Sequence, residues 1–361
     1  MEKILNIGMW FPRAERGLFL AKELKKLGHK VTIYHNNPIR SSEIKTVKIK
    51  YSFTLGLIKL FATNHQIYYT SSSFTPVLQL AIFNLIKRKP YIYVLNSPIW
   101  RHWIDVTGLI RKVSLPLYPI LLHFIIRQSS FTIANSKYVA DLLHKKYSYK
   151  NKFMYIYNGI NYKKFEIKKQ YNFNYDSPKL LTVTTINLKD KYNGLIFVIN
   201  SYNNIIKKIP EASLTVAIKF SREKYYKLLL QYIKEIGLSN KVKIIKNSQR
   251  IEDLFISSDI LLYATPSNST DSLPRILIEA EISKIPIIST NTMGCPEVVN
   301  SKNLLVEYDI KKFCNSILNL INNYNHFILS NKDNNEVRDK FSWHQMGIKY
   351  EKIMTNILKN N

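Results

Sequence analysis

The chain has 361 residues, 46% of them hydrophobic, with 53 Lys+Arg against 25 Asp+Glu and a formal charge of +28. That length exceeds what one hydrophobic core usually organises, so two domains are expected. The two cysteines, Cys295 and Cys314, form no CxxC or Cys/His cluster, which excludes a disulfide framework or a structural zinc site and points to a reducing compartment.

The charge is uneven. Residues 1–160 hold 24 Lys+Arg and 6 Asp+Glu, and no acidic residue stands between Glu43 and Asp105. Such a field attracts nucleic acid or the anionic cytoplasmic leaflet of a membrane, unless the richness in Lys, Ile, Asn and Tyr only mirrors a biased genome. No helix-turn-helix, zinc or RNA-recognition motif accompanies it, so nucleic acid is not the expected partner.

Met1-Glu2-Lys3 runs directly into a strand-like Ile4 to Gly8, and no secretory leader is expected. Helical spacing from about Glu15 to Leu27 ends at Gly28-His29, with His29 read as a structural residue capping the helix end. Val31 to Tyr34 is the next strand. Ile67 to Thr70 and Tyr91 to Leu95 are strands flanking an amphipathic helix from Phe74 to Lys87. After Leu95 comes a loop of aromatics and cations, Asn96 to Trp103. Sites in open α/β sheets lie at the C-terminal ends of strands, so Asn96, Arg101 and His102 are the acceptor-side candidates.

Leu109 to Ile126 contains two prolines and a His, and its apolar part falls short of the ~20 residues of a membrane span. A buried helix is expected there in preference to an interfacial segment. Phe131 to Ser136 reads as a strand and Tyr138 to Lys146 as a helix. Gly159, in Asn158-Gly159-Ile160-Asn161, suits a turn of positive φ, and the polar residues after Lys163 read as an interdomain linker.

The second half opens with a strand, Lys179 to Thr184, a loop from Thr185 to Gly194 and a helix from Leu195 to Ile206. Strands follow at Ala212 to Ile218 and Val242 to Ile245. The run Ile260 to Ala264 predicts a strand covered on both faces. A polar loop then leads to Asp271, and Ser272-Leu273-Pro274 opens a helix to about Lys284, since Pro is tolerated at a first helical position. Pro286 to Thr290 completes a βαβ unit. Amides at Ser272 and Leu273 make this helix start a candidate anion site, with the carboxylates of Asp271 and Glu279 placed to bind hydroxyls. Read without any motif, Asp271 is a helix cap and Glu279 a solvated helix residue.

Asp271, Glu279-Ala280, Pro286 and Gly294-Cys295-Pro296-Glu297 together resemble the donor-sugar signature of the retaining glycosyltransferases of family 4. That family usually carries Glu at the first position. Asn158-Gly159-Ile160-Asn161 with Phe165, and Phe341-Ser342-Trp343-His344 before a last helix, are similar to other family segments. The family's Arg after the first strand of the second domain is replaced by Thr185, and the glycines after the next two strands are replaced near Lys219 and Lys246-Asn247.

The resemblance implies an α/β protein of the GT-B fold, two Rossmann-like domains with parallel sheets facing across a cleft. The acceptor domain would cover residues 1–165, the linker 166–177 and the nucleotide-sugar domain 178–341, with the helix 342–361 packing back on the first domain. It implies sugar transfer from a nucleotide diphosphate with retention, on which Lys191, with Lys189 as its alternative, and the Ser272 and Leu273 amides neutralise the diphosphate. Asp271 would hold the donor sugar and Glu279 the ribose. No Asp-x-Asp motif is present, so no metal and no cofactor is expected. The implied partners are the donor, a glycan or lipid-linked acceptor and an anionic membrane surface. A non-catalytic scaffold of the same fold, or another sugar-nucleotide enzyme built on it, is the alternative.

Overall fold

The computed structural model describes residues 4–11, 14–36, 41–50, 52–71, 74–98, 117–149, 151–166, 172–248, 250–299, 305–330 and 335–360. The chain forms two compact units, one of residues 1–160 with 340–361 and one of residues 161–339.

The first unit is built on a sheet of seven parallel strands in the order β3-β2-β1-β4-β5-β6-β7. These are Asn6–Trp10, Lys30–His35, Lys45–Lys48, Ile67–Thr70, Tyr91–Leu95, Phe131–Ala134 and Phe153–Tyr155, numbered in chain order. Side chains alternate between the faces of each strand, and both faces are covered. On one face Trp10, Tyr68, Tyr91 and Tyr93 pack under α2 (Phe53–Phe61), α3 (Phe74–Lys87), α4 (Leu117–Gln128) and α5 (Lys137–Lys146). On the other, Ile7, Met9, Ile67 and Tyr69 pack under α1 (Ala14–Lys26) and the last helix, Trp343–Lys359.

Ser342 caps that last helix by accepting from the Gln345 N–H, and its Met346, Tyr350, Met354 and Ile357 enter the core of the first unit. Its Glu351 reaches His29 at 2.8 Å. His29 closes the end of α1, its N–H donating to the Leu24 carbonyl at 3.0 Å after Gly28 at φ 92, and its ring also joins two further elements, accepting from the Leu5 N–H. Gly159 has no positive φ. Its need for glycine is steric, because a Cβ would lie 2.6 Å from the Trp343 Cα, while Trp343 stacks on Phe19 with centroids 4.7 Å apart. Of the apolar segment before β6, the described part is α4, with Tyr118, Leu122, Ile125 and Ile126 buried and Leu117 and Ile120 exposed. Among the described residues no helix is long and apolar enough to cross a membrane.

The second unit carries six parallel strands in the order β10-β9-β8-β11-β12-β13. They are Lys179–Ile186 (β8), Ser213–Ser221 (β9), Val242–Lys246 (β10), Ile260–Tyr263 (β11), Ile287–Thr290 (β12) and Leu305–Val306 (β13). The helices that bear on the site are α6 (Lys189–Ile205), after β8, and α9 (Arg275–Ser283), between β11 and β12; α7 (Glu223–Glu235) and α8 (Ile251–Ser257) come between them. In each sheet the strand order reverses beside its first strand, at β1/β4 and at β8/β11. The crevice outside the C-terminal ends of such strands is where doubly wound sheets bind ligands.

Candidate functional site

At the second reversal, β8 feeds α6 and β11 feeds the loop 264–274. The sequence predicts a loop up to Gly194, but the helix begins at Lys189, so Lys189 and Lys191 stand in its first turn and not in a loop. Leu188 is its N-cap and makes no side-chain cap bond, which is why the start carries no sequence signal. Gly194 lets the helix settle on the end of β11: a Cβ there would lie 2.2 Å from the Ala264 carbonyl oxygen.

Asp190, also in that first turn, fixes the loop. Its Oδ2 accepts from the Ser269 hydroxyl at 2.7 Å, the Thr270 N–H at 2.6 Å and the Thr270 hydroxyl at 2.8 Å. Burial alone would raise its pKa, but these bonds and the Lys191 N–H together hold it below the usual carboxylate range. A carboxylate also suits the positive end of a helix dipole.

Thus anchored, the loop delivers Asp271 to Lys191. The ammonium donates to Asp271 Oδ2 at 3.1 Å, and the Tyr263 hydroxyl donates to the same oxygen. Tyr263 is deeply buried, and burial followed by the Asp271 charge pushes its pKa well above 10.0, so it stays a neutral donor. Lys191 and Asp271 remain 22% and 21% exposed, which keeps both charges within reach of a ligand.

Glu279 contradicts the reading of a solvated residue. Every residue from Ile276 to Ser283 is buried, and the Glu279 side chain is 3% exposed. Buried charge requires pairing, and two cations supply it. Lys219 donates to Oε2 at 3.1 Å, and the Arg275 Nε lies 3.0 Å from Oε1, one helical turn away. Lys219 stands near the C-terminal end of β9, where the sequence offers only a missing glycine.

The helix α9 starts at Arg275, with Pro274 as its N-cap at ψ 106. Ser272 and Leu273 therefore precede the helix and do not form its first turn. They lie instead against Gly294, whose Cβ would come within 2.0 Å of the Ser272 carbonyl oxygen. Thr185 sits where the β8–β9 register shifts, Thr184 pairing with Ile218 and Thr185 with Phe220 so that Lys219 of β9 is passed over, and it is half-buried beside Asn187.

In the first unit Asn96 follows β5, and its Oδ1 accepts from Arg16 at 2.8 Å, with Asn158 marginally placed at 3.5 Å. Arg101 and His102, the other acceptor-side candidates, lie outside the described residues. Sequence reasoning brought forward Lys191, Asp271 and Glu279, and missed Asp190, Tyr263, Lys219 and Arg275. Among these only Arg275 carries a periodic signal, its i,i+4 spacing to Glu279. Among the described residues no group of three or more His, Cys, Asp or Glu is placed to hold a metal ion.

Two family models match the chain in succession: Glycosyltransferase Family 4 over residues 18–164 and Glycosyl transferases group 1 over residues 163–337. No curated protein matches the sequence significantly. Among solved structures, HepE of Anabaena in complex with UDP and glucose is similar at 15% identity, covering 97% of this chain and 99% of that chain with a TM-score of 0.75. A glycosyltransferase from Rickettsia africae shares 17% identity over 100% of both chains, TM-score 0.72. Sucrose-phosphate synthase of Thermosynechococcus elongatus shares 14% over 98% of this chain and 99% of that one, TM-score 0.75. The two parallel sheets, the reversal points and the successive family matches agree: the chain belongs to the family 4 and group 1 glycosyltransferases and is a glycosyltransferase of the GT-B fold.

Proposed function

We propose that the protein transfers a sugar, with retention at the anomeric carbon, from a nucleotide-diphosphate-sugar to a hydroxyl of a glycan or lipid-linked saccharide at a membrane face. The observation that carries this reading is the Lys191–Asp271 pair at the C-terminal ends of β8 and β11. A leaving diphosphate needs neutralisation, and Lys191 is the ammonium positioned to supply it, with Lys189 exposed two residues away. No metal or cofactor enters the scheme.

In the absence of donor, Lys191 is spent on Asp271. On arrival the diphosphate takes over the ammonium, and the released Asp271 carboxylate accepts from hydroxyls of the sugar. Tyr263 keeps that carboxylate aimed throughout. The buried Glu279, oriented by Lys219 and Arg275, accepts from ribose hydroxyls, and the Ser272 and Leu273 amides lie along the diphosphate. Asn96, Arg101 and His102 are assigned to the acceptor. HepE, similar in fold, is described in complex with UDP, UDP-glucose and glucose, so uridine donors come first in any panel. The charge of residues 1–160 supports an acceptor at an anionic membrane.

Thermal shift and donor hydrolysis across UDP-, GDP- and ADP-sugars, on wild type and Glu279→Ala, test the proposal. Stabilisation by one donor, lost in the variant, is expected. A folded wild-type protein that responds to none of them overturns it.

A further inference from the structure

The helices α2, α3 and α4 lie side by side on one face of the first sheet. Phe61 of α2 packs edge-on against Phe83 of α3, and Phe74 of α3 packs against Tyr118 of α4. Their inner sides belong to the core. Their outer sides are not those of an ordinary solvated layer: Leu55 and Ile58 on α2, Leu85 and Ile86 on α3, and Leu117 and Ile120 on α4 are all exposed, Ile58 to 68% and Ile120 to 66%.

The charge on the same helices is of one sign. None of the three contains an Asp or Glu, whereas Lys59, Lys87, Arg88 and Arg127 are exposed on or directly beside them. A nucleic acid would be drawn by the cations but has no use for six exposed aliphatic side chains. A protein groove would take the aliphatic side chains without requiring that every carboxylate be absent. An anionic bilayer fits both, because aliphatic tips enter the acyl boundary while long cationic side chains reach the phosphates.

We infer that the outer face of α2, α3 and α4 is a docking surface for an anionic lipid bilayer. The inference deepens the proposed membrane-linked acceptor and rests on that reading for its purpose. Its observations come from the first unit alone and involve none of the donor-site residues.

The test is co-sedimentation with vesicles of phosphatidylglycerol and phosphatidylcholine, against vesicles of phosphatidylcholine only. Wild type should bind the anionic vesicles and release with salt. Leu55→Glu/Ile58→Glu should weaken the partition at least about tenfold, given what two aliphatic side chains gain on burial. Lys59→Gln/Lys87→Gln should weaken it less and flatten its salt dependence. All these positions are exposed, so both variants should keep the wild-type Tm and the wild-type donor thermal shift measured without vesicles. Wild type that ignores anionic vesicles, or variants that bind them equally well, overturns the inference whatever the donor experiment gives. So does a wild-type dimer that these variants turn into monomer, since the face would then belong to a second copy. Loss of donor response in wild type, by contrast, speaks only against the proposed activity.

Discussion

Replacing Asp190 by alanine should unfasten the loop that carries Asp271. Four donors converge on that carboxylate: the Thr270 N–H and hydroxyl, the Ser269 hydroxyl and the Lys191 N–H. A hydrogen bond to a charged group contributes about 1.5–3 kcal/mol. The hydroxyls can turn elsewhere, and Ser269 Oγ already accepts from the Asp271 N–H at 3.1 Å. The two backbone amides have no such freedom, so the net loss should be about 3 kcal/mol, with Asp190→Asn losing roughly half because a neutral carbonyl still accepts. Urea unfolding of the second unit measures the total, and amide hydrogen exchange across residues 265–271 localises it, with Thr270 losing protection first. The carboxylate's depressed pKa adds a signature. Its contribution is fully present above the ordinary aspartate range and disappears only as pH falls through the lower folded value, so wild type and Asp190→Ala should converge in strong acid. An alanine variant within 1 kcal/mol of wild type, with Thr270 still protected, would refute this account of the loop.

Gly294→Ala should cost about 1–3 kcal/mol and lower the Tm of the second unit, because its Cβ meets the backbone of Ser272 and no flexible side chain can yield; calorimetry checks it, and an unchanged Tm counts against the close approach. Burial, with Lys45 adding to it, lowers the His65 pKa to about 4, while its ring joins the Tyr34 hydroxyl and Asn6. The folded state resists the proton that the unfolded chain takes up near pH 6.5, so stability should decline as pH falls from about 6.5 toward 4; a Tm series should show His65→Gln flattening that slope. Cys295 is completely buried and its thiol is pushed up to about 12 by burial, and Cys314 is raised in the same direction. Native protein should therefore react with a disulfide reagent only at the rate of unfolding, which absorbance after adding denaturant would reveal.

What the sequence made legible follows from where the physics is local. Ile260 to Tyr263 reads as a covered strand because an unbroken apolar run between polar residues has few other uses, and the structure buries all four residues. The start of α6 was invisible because Leu188 offers no capping side chain, and Lys189 to Asn193 look like a lysine-rich loop. Pro274 drew the start of α9 too early, since Pro suits a first helical turn and the N-cap position alike. The burial of Glu279 could not be read from α9, whose residues are enclosed on every side and so lack a polar face. Its partner Lys219 lies 60 residues away in sequence, on strand β9, and Asp190 meets Thr270 across 80 residues. Both pairings exist only once the sheet has been assembled. Gly159 was recognised as necessary for the wrong reason: what it avoids is Trp343, brought in by the last helix.

That last helix also sets an order of events. Residues 343–359 are synthesised after the whole of the second unit, yet they supply Met346, Tyr350, Met354 and Ile357 to the core of the first. A nascent chain can therefore enclose its second unit while the first still presents an open apolar face over Ile7, Met9, Leu20 and Leu24. The usual sequence of domain completion on the ribosome is inverted, and the half of the molecule that emerges earliest is the last to have its apolar face covered.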